Sequence, residues 1–212
     1  MALTYQQLAA PIEFELEEKR SRFICYLFPV TSRELVMQHL QALKLRYPDA
    51  RHHCWAYVIG NTQQPKTQAY SDDGEPAGTA GKPILNVLVQ RNIGDSVAIV
   101  VRYFGGIKLG AGGLVRAYSA SVSQAVDKAQ LQQKIALVEL RVLVPFSLEA
   151  QVRHFVNEYN GEILSCCYAA DVDIQVALAE SQQWDFYRNI RHASAGKAKV
   201  FYQQELMASD EG

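Results

Sequence analysis

Fifteen residues from Arg102 to Arg116 hold five glycines (Gly105, Gly106, Gly110, Gly112, Gly113) and three cations (Arg102, Lys108, Arg116). These residue types suit an anion, phosphate above all. Glycine lacks a β-carbon and tolerates positive φ, so its backbone can approach a ligand closely. The segment reads as a buried strand from Val97 to Tyr103, a glycine-rich loop, and a helix from about Gly110 to Gln132. A helix N-terminus adds unpaired N–H groups and partial positive charge. The spacing excludes two familiar nucleotide loops. Gly78-Thr79-Ala80-Gly81-Lys82-Pro83 has neither the spacing nor the hydroxyl residue of a Walker loop, and Val115 stands where the third Rossmann glycine belongs. The plainer alternative is that these glycines only permit tight strand-to-helix packing.

Three carboxylates, Asp72, Asp73 and Glu75, lie within four residues of a loop punctuated by Gly74, Pro76 and Gly78. They can hold Mg²⁺, position a water, pair with cations of the glycine loop, or form a solvated acidic turn. Arg51-His52-His53-Cys54-Trp55 suggests metal ligands, but neighbours in a strand alternate faces and cannot converge on one ion. Arg51 and His52 can serve an anion-facing surface, or the string can be a polar strand entrance. Lys19, Arg20 and Arg22 beside Phe23 and Tyr26 suit single-stranded nucleic acid or a charged hairpin edge. Ser71, Ser119 and Ser121 have no evident base, so no catalytic residue, metal or cofactor is assigned. The candidate phosphate-binding set is Arg51, His52, Lys82, Arg102, Gly105, Gly106, Lys108, Gly110 and Arg116.

The positioning elements follow from pattern. Ile12, Phe14 and Leu16 alternate with glutamates, and Arg22 to Val30 supplies the second strand of a hairpin. Thr31 and Glu34 form a capping box for a helix that ends before Pro48. Strands are predicted over His53–Ile59 and Thr67–Ser71, and a helix from about Thr79 or Pro83 to Arg91. After a bridge at 133–136, Leu137–Val144, a helix capped by Ser147, strands Glu162–Tyr168 and Asp171–Leu178, a helix Ser181–Arg191 and a strand Lys197–Tyr202 give a ferredoxin-like β-α-β-β-α-β order. The predicted division is residues 1–134, 137–206 and an acidic tail, 207–212.

The composition, 49% hydrophobic and 20% charged over 212 residues, is that of a globular chain. Residues 1–134 hold 15 Lys and Arg against 11 Asp and Glu, a net +4, whereas residues 135–212 hold 6 against 11, a net −5. The first part is thus the better candidate to meet an anionic partner. Four cysteines without a C-x-x-C pair, no apolar run of bilayer length and no secretory signal suit reduced thiols and a cytoplasmic location without membrane contact.

Three strings carry a family resemblance: Arg51-His52-His53-Cys54-Trp55-Ala56, the loop Ser71 to Pro83, and Val101-Arg102-Tyr103-Phe104-Gly105-Gly106-Ile107-Lys108-Leu109-Gly110. They resemble the signatures of the IMPACT family, in its bacterial YigZ branch, over residues 15–130. The resemblance implies an α+β fold. Its N-terminal domain would be like the second domain of small-subunit ribosomal protein five, a fold shared with elongation factor G and the GHMP kinases. Its C-terminal domain would be like that of elongation factor G. Eukaryotic relatives act in translational control and carry an additional RWD domain, so their partner mechanism is not expected to carry over. The resemblance and the residues together suggest a non-enzymatic, translation-linked protein that binds RNA or the ribosome. The alternatives are an enzyme acting on a phosphorylated small molecule or nucleotide with Mg²⁺, and a protein-interaction module docking through the acidic C-terminal domain.

Overall fold

The structure, a computed structural model, describes residues 4–202 and 205–207. The chain divides into two compact units, Thr4–Lys134 and the residues from Ile135 onward.

In the first unit an antiparallel sheet has the order β2 (Ile12–Glu18), β3 (Ser21–Pro29), β6 (Ser96–Tyr103), β4 (His52–Ile59), β5 (Thr67–Ser71). The nearly uninterrupted apolar run of β6 suits its central place, where both faces are covered. Helices α2 (Gly81–Gln90) and α3 (Ala111–Lys128) cover one face, over Phe23, Cys25, Ala56 and Val100. Helix α1 (Arg33–Arg46) covers the other, over Ile24, Tyr57 and Ile99. α3 buries Leu114, Ala117, Tyr118, Val122 and Val126, the stripe its periodicity predicts. Each fully buried Leu- or Val-sized side chain contributes about 1.5–3 kcal/mol. Strand alternation places Arg102 on the α2/α3 face with Val100. Its cross-strand neighbours are Phe23 on β3 and His52 on β4.

In the second unit β8 (Leu137–Val144), α4 (Glu149–Glu158), β9 (Glu162–Tyr168), β10 (Val172–Ala179), α5 (Gln183–Ala193) and β11 (Lys199–Tyr202) follow the order β-α-β-β-α-β. With the short β12 (Glu205–Leu206), the sheet order is β12-β11-β8-β10-β9. Val138, Leu140, Val142 and Val144 alternate with outward residues and pack against Val152, Phe186 and Ile190 of the helices. All four cysteines are free thiols. Among the described residues no helix is long and apolar enough to cross a membrane.

Several local expectations are corrected. Ser32, not Thr31, caps α1; its hydroxyl accepts from the Leu35 N–H at 3.4 Å, and Thr31 stands one residue too early. α3 stops at Lys128 rather than Gln132, and Leu131–Ile135 form β7, paired with β1 (Thr4–Leu8). No Gly or Pro follows Lys128, so local propensity favours helix where pairing with a distant strand prevails. Ser147 caps nothing, because a 3-10 turn at Phe146–Leu148 precedes α4. Met207 is no tail residue: it is buried, and its N–H donates to the Val200 carbonyl at 2.8 Å. The rest of the predicted tail, 208–212, lies outside the described residues.

Candidate anion-binding cleft

The glycine loop leaves the sheet where β6 meets the β2–β3 hairpin. Lys19 and Arg20 turn that hairpin with φ of +48° and +64°, a tight two-residue turn. Gly105 lies directly on this turn. A β-carbon there would sit 2.0 Å from the Arg20 carbonyl group, so no other residue fits. Gly105 thus serves packing. Gly106 and Gly110 have φ of +86° and +73° with open space around them, so they shape the loop instead. α3 then begins at Ala111 behind Gly110, with no side-chain cap and no acidic residue in its first turn. Its first N–H groups keep their positive partial charge.

The acidic loop is tied down by its own carboxylates. Asp72 accepts from the N–H groups of Gly78 (2.8 Å), Ala80 (3.0 Å) and Gly81 (2.8 Å), and so caps α2, whose N-cap residue Ala80 has no acceptor side chain. Asp73, at φ +41°, accepts from the His53 N–H at 2.6 Å and lies 3.6 Å from Lys44 Nζ. Its carbonyl accepts from His52 Nδ1 at 2.9 Å, which fixes that ring's tautomer when neutral. Glu75 is buried and accepts from Arg102 Nη1 at 2.6 Å and from the Tyr118 hydroxyl at 2.8 Å. The Cys54 thiol donates toward the Asp72 carbonyl at 2.9 Å and lies 3.3 Å from the Tyr118 oxygen. Burial pushes the Cys54 thiol and the Tyr118 phenol up, so both stay protonated at neutral pH. Cys54 is therefore a poor nucleophile. Among the described residues no three acidic, histidine or cysteine side chains are grouped to hold a metal ion.

These elements enclose a cleft of about 790 Å³. Arg51, His52 and Arg102 enter it from the sheet ends, Lys108 and Gly110 from the glycine loop, and Glu75 from the acidic loop. Of the predicted residues, Lys82, Gly105, Gly106, Arg116, Asp72 and Asp73 do not line it. Lys82 and Arg116 are exposed on α2 and α3. Sequence reasoning missed Asp49, Pro76, Tyr103, Phe104, Leu109 and Leu114, which also line the cleft. Phe104, 58% exposed directly after a buried strand, was the legible signal among them. Arg102 is no simple anion ligand. Its guanidinium pairs with Glu75, lies 5.4 Å and 5.9 Å from the ring centres of Phe23 and Phe104, and leaves a buried Nε without a partner.

Residues 19–126 match the family model of the Impact N-terminal domain. The chain is 36% identical to "IMPACT family member YigZ" of Escherichia coli, over 93% of this chain and 97% of that one. It is 38% identical to an "IMPACT family member" of Haemophilus influenzae, over 89% and 92%. A crystal structure described only as that of a hypothetical protein matches over the whole of both chains, with a TM-score of 0.67 and 35% identity.

Proposed function

The chain belongs to the IMPACT family, and on that premise we propose that it is a non-enzymatic, translation-linked regulatory protein that binds RNA or the ribosome through the cleft. One observation carries this reading. The cleft joins an uncapped helix N-terminus to Arg51, His52 and Lys108, while the nearby loop carboxylates are engaged by donors of the protein itself. Such a surface favours phosphate over a neutral ligand. The likeness of the first unit to the second domain of small-subunit ribosomal protein five, and of the β-α-β-β-α-β unit to the C-terminal domain of elongation factor G, belongs to the same proposal. It is an analogy of fold, not of site. The test is filter binding to ribosomes and structured RNA at stepped salt. Arg51→Ala and Lys108→Ala should each lower the salt slope by about one. No salt-dependent affinity at all would refute the reading.

The size of the cleft favours a second reading, an enzyme acting on a phosphorylated small molecule or nucleotide, since small-molecule sites span about 300–1,000 Å³. Against it, Asp72, Asp73 and Glu75 each already accept from the protein's own donors, and among the described residues no three acidic, histidine or cysteine side chains are grouped to hold a metal ion. Calorimetry with common nucleotides, with and without Mg²⁺, separates the two.

A further inference from the structure

The cleft has an apolar, aromatic side that a phosphate leaves unused. Phe104 lines the cleft and is 58% exposed, whereas Phe23, its neighbour across the Arg102 guanidinium, is buried. Pro76, Leu109 and Leu114 continue an apolar wall toward the helix N-terminus. The ring of Phe104 is backed by the Arg102 guanidinium at 5.9 Å, and that side chain is held by Glu75 at 2.6 Å. The ring is thus held against the guanidinium while more than half of the residue reaches solvent. Arg102 itself is nine-tenths buried and lines the cleft, with its Nε enclosed and unpartnered. An aromatic plane and an anion-attracting end thus share one concavity.

From this we infer that the cleft receives one unpaired nucleotide, its base stacked on Phe104 and its phosphate toward Lys108, Arg51 and the first turn of α3. The inference rests on the phosphate-binding reading above and narrows it to single-stranded RNA. In a duplex the bases are stacked inside the helix and offer no face to an aromatic side chain, whereas an unpaired base does. Stacking on an aromatic ring is tolerant of sequence, because every base has a π-face. The cleft accordingly selects strandedness rather than sequence.

The test uses the full chain, a fluorescent oligouridine of about 12 nucleotides, the same strand in duplex with oligoadenosine, and uridine monophosphate as competitor. The inference expects the single strand to bind at least about tenfold more tightly than the duplex. Phe104→Ala should weaken single-strand binding about tenfold and leave duplex binding unchanged, whereas Phe104→Trp restores it. Lys108→Ala should weaken both. Phe104 is exposed, so the Ala variant should keep the parent melting temperature. Equal affinity for both forms with no effect of Phe104→Ala overturns the inference and leaves the phosphate reading standing. No binding of either form at low salt overturns both. Binding of the monophosphate without binding of the oligomer overturns the inference in favour of a small phosphorylated ligand.

Discussion

Replacing Glu75 with Ala is expected to destabilise the first unit by about 4 kcal/mol. The Arg102 and Glu75 side chains are 8% and 4% exposed and meet at 2.6 Å. Removing one partner of a buried pair costs about 3–5 kcal/mol, because the remaining charge stays buried without compensation. Tyr118, fully buried, loses its acceptor at 2.8 Å in the same step. An orphaned buried hydroxyl adds about 1–3 kcal/mol, but losses within one network do not simply add. The assay is urea unfolding read by Trp55 in a Trp184→Phe background, since the two tryptophans lie in different units. With a slope of about 2 kcal/mol per molar urea, the midpoint should fall by about 2 M. Glu75→Gln keeps an acceptor for both donors and should cost about half as much. Glu75→Leu combined with Arg102→Met removes both charges and should recover most of the loss. A loss below about 1 kcal/mol for Glu75→Ala would refute the reasoning. It would mean that the guanidinium swings out into the water of the cleft.

Three further outcomes follow from the geometry. Gly105→Ala should cost about 3 kcal/mol or more in the same urea assay, because a β-carbon would lie 2.0 Å from the backbone of Arg20; Gly106→Ala, with open space but φ +86°, should cost only about 1 kcal/mol. Asp72→Ala removes the acceptor of three N–H groups at the start of α2 and should cost about 2 kcal/mol, with faster proteolysis between Ser71 and Lys82 as an independent readout. Burial holds His39 and His53 below the ordinary histidine value of 6.5, with Asp73 opposing and Lys44 and His52 reinforcing the shift at His53. The unfolded chain then binds protons first as pH falls, so stability is full above about pH 7 and declines through 6.5 toward the folded values; His53→Gln should flatten that decline, and an unchanged slope would exclude His53 as its source.

The five main strands of the first unit were legible because their patterns are strong: alternation with glutamates in β2, and an apolar run in β6 that only a doubly covered strand would tolerate. β7 was not legible. Leu-Gln-Gln-Lys-Ile continues a helix well, and only its pairing with β1, more than a hundred residues away, makes it a strand. The cations of the cleft were visible as residue types, but their grouping depends on register. Arg102 faces His52 across β6 and β4, which draws the Arg51 and Lys108 segments to one sheet end. Lys82 and Arg116 are equally basic, yet neither lines the cleft; the Arg116 guanidinium lies beside Gly112 in the first turn of α3 instead. Gly105 shows the same limit. Its type signals close approach, and the fold decides that the approach is to the hairpin turn at Arg20 rather than to a ligand.

Of the roles open to the acidic loop, pairing with the protein's own groups is the one the structure displays, through Glu75 and Arg102. Three carboxylates beside a glycine-rich loop could hold a bridging cation, yet each answers to donors of the protein: Asp72 to the start of α2, Asp73 to the His53 N–H and Lys44, Glu75 to Arg102 and Tyr118. Each is thereby engaged before any ligand arrives, and the charge of Glu75, which alone of the three lines the cleft, is offset by Arg102. The sign of the cleft is then set by what remains at its mouth, Arg51 and Lys108 together with the uncapped turn of α3, against Asp49. A concave site with low-dielectric walls concentrates such a field. Two consequences separate this arrangement from a metal-bridged one. Anion binding should weaken with salt while remaining indifferent to added Mg²⁺ or chelator. Glu75→Gln, by releasing the Arg102 guanidinium from its counter-charge, should tighten binding and raise the salt slope by about one unit rather than abolish it.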